Sequence, residues 1–192
     1  VGDICLQVSQ DKSIVEQKVM RLETYQEEQK TYNLVVNDTH NYFANNILVH
    51  NKICRFCFTY DTMITLSDGT YQKICKVRPG DMIKTYNEDT GKLQNSKVLE
   101  TVKILHDNIV KYKFDNNTII ETTDNHPFYV VDEGYKAPLQ IGDVVLNDEM
   151  NKLTLVNIEV DKKQQITYNI NSTDNGKNYF ANKVLVSDES DT

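Results

Sequence analysis

The sequence predicts an all-β fold, and three observations lead to this prediction. Glycine and proline are sparse, with 7 and 3 residues in a chain of 192, whereas Val, Ile, Thr and Tyr, which favour strands, are plentiful. Apolar and polar residues alternate in short segments, as they do in strands that bury one face. Turn sequences such as Ser67-Asp68-Gly69 and Pro79-Gly80-Asp81 separate these segments.

The strand-like segments follow one another along most of the chain. We expect strands within residues 63–74, 81–87, 98–106, 109–115, 118–124, 127–137, 152–160, 165–171 and 183–188. Residues 14–30 are the only good helical candidate, but their apolar stripe is poorly defined. Because the matching segment later in the chain, residues 153–165, has the composition of a strand, we expect a strand, a turn and a strand in residues 14–30 as well.

An internal repeat relates residues 1–51 to residues 141–188. Asn41-Tyr42-Phe43-Ala44-Asn45 recurs letter for letter at residues 178–182, whereas nothing in the first 51 residues matches residues 57–140. The predicted parts are the closing third of a module at 1–51, a linker at 52–56, a complete module at 57–188 and an acidic tail at 189–192.

The composition argues against several partners and cofactors. The formal net charge is −7 and the pI is about 5.1, so we expect neither nucleic acid nor an anionic membrane surface as a partner. No apolar run approaches the roughly 20 residues that cross a bilayer. The first residues, VGDICLQVSQ, resemble the middle of a fold and include no signal peptide, so the compartment and the oligomeric state stay open.

The four cysteines, Cys5, Cys54, Cys57 and Cys75, are too few for a disulfide scaffold. Cys54-x-x-Cys57 has the spacing of a metal or redox pair, but no second such pair and no His pair lies at ligand spacing. We therefore expect no metal ion and no cofactor. We expect Cys5 and Cys75 to be small apolar residues inside strands.

Cys57 opens a pattern that resembles a known family. Cys57-Phe58-x-x-Asp61-Thr62, followed by Asp68-Gly69, resembles the opening block of inteins and Hedgehog-type autoprocessing domains, which share the Hint fold. Thr123-x-x-His126 resembles the second block, and the segment from Tyr32 to Asn51 is very similar to the carboxyl-terminal blocks of inteins and bacterial intein-like domains. The resemblance implies a horseshoe-shaped, mainly β Hint fold whose halves are related by approximate two-fold symmetry.

The resemblance assigns chemistry to the Phe56–Cys57 junction. The thiolate of Cys57 would attack the carbonyl carbon of Phe56 and convert the amide into a thioester. His126 would protonate the departing nitrogen, since imidazole can lend a proton near neutral pH. Thr123 would hydrogen-bond the scissile carbonyl and hold the amide out of planarity. Considered alone, His126 could also be a turn histidine at the start of a strand.

A second junction is implied between Asn51 and Lys52. The side-chain amide of Asn51 would attack its own carbonyl and form a succinimide, with His50 as the proton donor and His40 as a second candidate. Asn51 could also be a loop asparagine after a strand. Splicing requires Cys, Ser or Thr where this chain has Lys52, so the sequence favours cleavage over ligation. The complete module ends in Ser187-Asp188 in place of His-Asn, which predicts impaired cleavage there.

These motifs predict a single-turnover, metal-independent self-cleaving domain whose partner is the flanking polypeptide in cis. The alternative is a catalytically silent Hint-fold module with a structural or binding role, for which Lys52 and Ser187-Asp188 argue. A cysteine hydrolase acting on other proteins is a third reading, but the sequence indicates no substrate cleft for it. Whether residues 1–51 or 141–188 complete the site around Cys57 stays open.

Overall fold

A computed structural model describes residues 3–9, 11–21, 23, 41–50 and 56–188, with the side chain of His50 excepted. The chain divides into two compact units, Val1–Ile53 and Cys54–Thr192. Within the described ranges all regular structure is β-strand apart from one 3₁₀ turn, which confirms the all-β prediction. No helix in this part of the chain is long and apolar enough to cross a membrane.

The first unit has one sheet of four strands in the order β2-β1-β4-β3. These strands are β1 (Ile4–Val8), β2 (Ile14–Lys18), β3 (Asn41–Ala44) and β4 (Ile47–His50). Strand β2 confirms a strand at the start of residues 14–30. Residues 22 and 24–30 of that segment lie outside the described residues, as do residues 32–40 of the resembled carboxyl-terminal block.

The second unit forms a larger antiparallel sheet, in which the described strands follow the order β7-β6-β17-β18-β12-β14-β15-β10-β11-β5-β16-β9-β8, with β13 paired to β12. The strands are β5 (Phe58–Thr59), β6 (Met63–Thr65), β7 (Tyr71–Lys73), β8 (Met82–Asn87), β9 (Lys92–His106), β10 (Ile109–Phe114), β11 (Ile119–Thr123), β12 (Phe128–Val130), β13 (Gly134–Lys136), β14 (Val144–Leu146), β15 (Lys152–Asp161), β16 (Gln165–Thr173), β17 (Asn178–Ala181) and β18 (Val184–Ser187), and the 3₁₀ turn is Ile74–Lys76. Leu66, directly after β6, bridges to Ile83 in β8. This bridge brings the two ends of the strand order together.

Two turns of the second unit repeat each other's backbone contacts. Gly80-Asp81 exchanges two hydrogen bonds of 2.8 and 2.9 Å with Val98, and Gly142-Asp143 exchanges two of 2.9 Å with Leu155. The two glycines have φ angles of +100° and +98°, which other residues adopt only with strain. The equivalent turns reflect the approximate two-fold symmetry that the sequence resemblance implied.

The recurring NYFAN segments form the same hairpin in both units. Hairpins β3–β4 and β17–β18 pair their strands in the same register around a two-residue turn. The turn residues, Asn45-Asn46 and Asn182-Lys183, all have positive φ angles, as a type I′ turn requires. A further segment pairs with each hairpin at the equivalent position. The pair is Gln7–Ile47 in the first unit and Asn147–Val184 in the second.

The two hairpins differ in burial. The ring of Phe180 in β17 is 0% exposed, whereas its counterpart Phe43 in β3 is 46% exposed. Hairpin β17–β18 contributes to the core of the second unit, whose largest fully buried side chains include Phe58, Tyr112, Phe114, Phe128 and Tyr179. Among the described residues, all the buried apolar side chains belong to the second unit.

Candidate active site

Cys57 lies directly before β5, and its side chain is fully buried. Strand β5 lies between β11 and β16, where Phe58 pairs with Thr122 on one side and with Tyr168 on the other. Pairing on both sides orders the backbone at this point. The nucleophile that the sequence predicted is thus placed in the interior of the second unit.

Two consecutive threonines at the end of β11 hold the backbone of Cys57. The N–H of Cys57 donates a hydrogen bond to Oγ1 of Thr123 at 3.0 Å. The carbonyl oxygen of Cys57 accepts one from the N–H of Thr123 at 2.9 Å and one from Oγ1 of Thr122 at 2.8 Å. Both threonines are buried. These bonds fix the nitrogen side of the Phe56–Cys57 amide.

The contact made by Thr123 differs from the expected one. The sequence suggested a hydrogen bond to the carbonyl of Phe56, whereas the hydroxyl bonds the nitrogen of the same amide. Thr123 lies next to the Thr122–Phe58 pair, so its backbone N–H already bonds the Cys57 carbonyl and its side chain reaches the Cys57 N–H. A hydroxyl can accept and donate, so this group can follow the nitrogen as it changes from amide to amine.

His126 ends the turn that begins at Thr123, and its backbone N–H donates to the Thr123 carbonyl at 3.3 Å. Its side chain is buried among three phenylalanine rings. The ring centroids of Phe56, Phe58 and Phe128 lie 4.7, 4.0 and 5.8 Å from that of the imidazole. Phe56, which carries the carbonyl of the candidate scissile bond, thus packs directly on the candidate catalytic histidine.

The imidazole of His126 is kept neutral by this enclosure. Neither ring nitrogen makes a hydrogen bond of ordinary geometry to the described residues. Burial lowers the pKa of His126 well below 6.5, and the backbone of Ser187 acts in the opposite direction with a smaller effect. At neutral pH the imidazole is therefore uncharged. It can accept a proton as a base, but it is not the imidazolium that would donate one as an acid.

The end of strand β18 contacts the loop that holds His126. Ser187 donates its backbone N–H to the carbonyl of Pro127 at 3.0 Å, and Asp188 donates its own to the carbonyl of Lys177 at 2.8 Å. Asp188 is 2% exposed. Cys57 and Ser187, although far apart in sequence, are thus both bonded to the loop that holds His126.

Three of the predicted site residues cannot be compared with these contacts. His40 and Asn51 lie outside the described residues, as does Cys54 of the CxxC pattern. His50 is the last residue of β4, paired with Asn41, and its side chain is also outside the described part. The roles assigned to these residues stay predictions. Among the side chains that are described, no three of His, Cys, Asp or Glu lie together as ligands for a metal ion.

Sequence reasoning missed Thr122 and the phenylalanines around His126. The available signal for Thr122 was its position beside Thr123, because the two consecutive threonines end a strand. No comparable signal exists for Phe128, since its contact with His126 depends on how the chain turns at Pro127. For Phe56, the sequence assigned a role only to the main-chain carbonyl, as part of the scissile bond, and none to the ring.

Known proteins share this sequence pattern and this fold. Residues 63–188 match the protein family described as "Pretoxin HINT domain", and no curated protein sequence matches the chain. A bacterial intein-like domain from Clostridium thermocellum superposes with a TM-score of 0.64 at 28% identity, covering 69% of this chain and 98% of that one.

Two inteins are also similar in structure. A DnaB intein from Synechocystis sp. PCC 6803 superposes with a TM-score of 0.62 at 20% identity, and the gp41-1 intein with 0.57 at 19%. Each superposition covers 69% of this chain and 98% of the intein. At these identities the inteins show the fold alone, which is the Hint horseshoe predicted from the sequence.

Proposed function

We propose, from the premise that this chain belongs to the family of pretoxin Hint domains, that it cleaves its own polypeptide once, at the Phe56–Cys57 bond. Domains of this fold are autoprocessing domains that act in cis on flanking sequences. The observation that carries the proposal is the hydrogen bond of 3.0 Å from the Cys57 N–H to Oγ1 of Thr123. It holds the nitrogen that must leave.

The first step converts an amide into a thioester. Neutral His126 accepts the proton of the Cys57 thiol, and Sγ attacks the carbonyl carbon of Phe56. The C–N bond then breaks, and the nitrogen of Cys57 receives the proton from His126. The proton that leaves sulfur thus ends on nitrogen, and the product is a thioester at Sγ with an amino group on Cys57.

The two threonines support this step in different ways. The hydroxyl of Thr123 accepts a hydrogen bond from the amide N–H and can donate one to the nitrogen lone pair once planarity is lost. Thr122 and the N–H of Thr123 hold the carbonyl of Cys57, so residue 57 stays in place while the bond before it rearranges. Water or an added thiol then cleaves the thioester and restores the Cys57 thiol.

A cut after Asn51 is the second part of the proposal. Strand β4 ends at His50, so Asn51 directly follows a strand, as the resembled carboxyl-terminal block requires. Its amide nitrogen would attack its own carbonyl carbon and release the amine of Lys52, with His50 and His40 as proton donors. Since Lys52 offers no hydroxyl or thiol, the released ends are not joined.

A catalytically silent Hint-fold module is the alternative function. It is favoured by the enclosure of His126, whose ring nitrogens have no partner among the described residues. Only the self-cleaving domain would produce cleaved fragments, so mass spectrometry distinguishes the two functions.

Intact-mass spectrometry of the purified chain, before and after incubation with dithiothreitol, tests the proposal. We expect fragments 1–56 and 57–192 from the wild type and neither of them from Cys57→Ala, whereas a fragment that ends at Asn51 would report the second cut in either protein. Cys75→Ala is the matched control, because it removes another thiol, at a half-buried position in the 3₁₀ turn, and it should cleave like the wild type. An uncut wild type together with an uncut control would favour the silent module.

A further inference from the structure

We propose that Asn169 is a catalytic residue of the self-cleavage reaction, whose side-chain amide stabilises the negative charge that develops on the carbonyl oxygen of Phe56. The inference rests on the proposed function, because it concerns the same Phe56–Cys57 bond. Thr123 leaves this role open, since its hydroxyl is bonded to the nitrogen of that amide.

The carbonyl oxygen of Phe56 points towards strand β16. On the other side of the amide, the N–H of Cys57 points towards β11, where it donates to Oγ1 of Thr123. Among the described residues only the Ala137–Pro138 bond is cis, and in a planar trans amide the N–H and the C=O point in opposite directions. Because β5 lies between β11 and β16, a carbonyl that points away from β11 points towards β16.

Asn169 occupies the position of β16 opposite Cys57. Phe58 pairs with Tyr168 in antiparallel register, so the residue before Phe58 comes opposite the residue after Tyr168. Opposite residues of an antiparallel pair extend to the same face, with Cβ atoms about 4.5–5.5 Å apart. The side chain of Asn169 is therefore next to the junction, on the side to which the scissile carbonyl points.

The amide of Asn169 is buried and only partly satisfied. The residue is 0% exposed, and its Nδ2 makes no hydrogen bond to the described residues. Its Oδ1 accepts a hydrogen bond from the hydroxyl of Tyr179, which is also buried. An N–H group that is buried without an acceptor costs about 1–3 kcal/mol, and such groups are rare in folded proteins. A donor that bonds to a charge formed only during the reaction explains this arrangement.

Asn169 takes part in the thioester step without exchanging a proton. As Sγ of Cys57 bonds to the carbonyl carbon of Phe56, an electron pair of the C=O bond moves to oxygen, and Nδ2–H donates a hydrogen bond to it. The pair returns when the C–N bond breaks, and the nitrogen of Cys57 receives the proton that His126 took from sulfur. Tyr179 is a positioning residue, because its bond to Oδ1 orients the amide.

The first test compares rates of cleavage at Phe56–Cys57 in the full chain, followed by intact mass in excess dithiothreitol. Asn169→Asp is nearly isosteric but, as a carboxylate, has no proton to donate, so the rate should fall about a hundredfold or more. Lowering the pH should narrow the gap to the wild type, because a protonated carboxyl group regains a donor. A purely structural role for Asn169 would give no such recovery.

Asn171→Asp is the matched control. Asn171 is two residues further along β16, on the same face as Asn169, and is also buried. Asn171→Asp therefore places the same new carboxyl group in the same strand without touching the junction, and it should cleave like the wild type. Urea unfolding in a Cys57→Ala background shows that each variant is folded.

A second test adds no charge to the interior. Tyr179→Phe should slow cleavage by about tenfold in an otherwise wild-type chain. In a chain that carries Asn169→Ala it should have no further effect, because the tyrosine hydroxyl acts through the asparagine. This cycle decides the matter if the buried carboxylate of Asn169→Asp prevents folding.

The outcomes separate this inference from the proposed function. Cleavage of Asn169→Asp at the wild-type rate, or equally slow cleavage of Asn171→Asp, would overturn the inference and leave cleavage at Phe56–Cys57 standing. The same holds if Tyr179→Phe slows the reaction equally with and without Asn169. A wild type that is never cut at Phe56–Cys57 would instead overturn the proposed function itself.

Discussion

The backbone N–H of Cys57 donates a hydrogen bond of 3.0 Å to Oγ1 of Thr123, across 66 positions of sequence. The contact joins the two motifs that pointed to an autoprocessing site, and it does so at the nitrogen of the candidate scissile bond. It also places the hydroxyl on the side of the amide from which the leaving group departs. In the proposed reaction, departure of the Cys57 nitrogen depends on this pair.

Replacing Thr123 by valine should slow cleavage at Phe56–Cys57 by about tenfold or more and lower the free energy of unfolding by about 1–3 kcal/mol. Both effects follow because a buried N–H would lose its acceptor. The rate is measured by intact mass, and the stability by urea unfolding in a Cys57→Ala background that cannot cleave at Phe56–Cys57. Thr123→Ser keeps the hydroxyl and is the control. If valine and serine gave equal rates, the hydroxyl would have no part in the reaction.

Replacing Phe56 by alanine should raise the pKa of His126 towards its ordinary value. Phe56 is 3% exposed and lies edge-on to the imidazole at 4.7 Å, so its loss admits water to a ring whose pKa is lowered by burial. The pKa is measured by NMR titration of the His126 ring protons, in the Cys57→Ala background. Tyr60→Ala, at an exposed residue nearby in sequence, should leave it unchanged. A titration curve that does not move in Phe56→Ala would contradict the enclosure described here.

The stability of the second unit should fall as the pH is lowered below about 6.5. The folded state disfavours protonated His126, so its pKa is below the value of 6.5 that applies when the chain unfolds. Between those two pKa values the unfolded state binds more protons, and the free energy of unfolding rises with pH by up to about 1.4 kcal/mol per unit, then becomes flat.

The measurement is urea unfolding between about pH 5 and pH 8, with His126→Gln as the comparison, so that the difference isolates this group from the other histidines. The wild type should lose stability relative to His126→Gln as the pH falls below about 6.5, and the two proteins should show parallel pH dependence above it. Parallel curves over that range would mean that His126 does not titrate on unfolding.

The equivalent hairpins offer a matched pair of substitutions. Phe180→Ala should lower the free energy of unfolding by about 3–5 kcal/mol, because it opens a cavity around a ring that is 0% exposed. Phe43→Ala replaces the corresponding residue of the same motif, which is 46% exposed. It should lower the free energy of unfolding by less than about 1 kcal/mol. Urea unfolding followed by circular dichroism checks both. Equal losses would indicate that Phe43 is buried in solution.

Much of the fold was predictable because it follows from local signals. Alternating apolar residues and turn sequences identify strands, and the repeated NYFAN segment predicts two like structures, which the two hairpins confirm. The difference in burial between Phe43 and Phe180 was not predictable. The two identical segments give no information about which neighbouring strands bury each of them.

The candidate site was predictable in its members but not in their contacts. Cys57, Thr123 and His126 come from motifs, and the structure brings them to one loop. That Thr123 bonds the amide nitrogen rather than the carbonyl depends on the register between β5 and β11, which no spacing in the sequence specifies. The hydrogen bond from the Ser187 hydroxyl to the Asp188 carbonyl was also not predictable. In the sequence, Ser187-Asp188 resembles only a degenerate form of the His-Asn ending.

Trapping with hydroxylamine detects a thioester at Cys57, because hydroxylamine attacks thioesters much faster than amides. The full-length chain is incubated with hydroxylamine at neutral pH, and the products are sequenced by tandem mass spectrometry. We expect fragment 1–56 ending in a hydroxamate at the Phe56 carbonyl, together with fragment 57–192, and neither product from Cys57→Ala. An intact chain, or a fragment 1–56 that ends in an unmodified carboxyl group in wild type and Cys57→Ala alike, would contradict it.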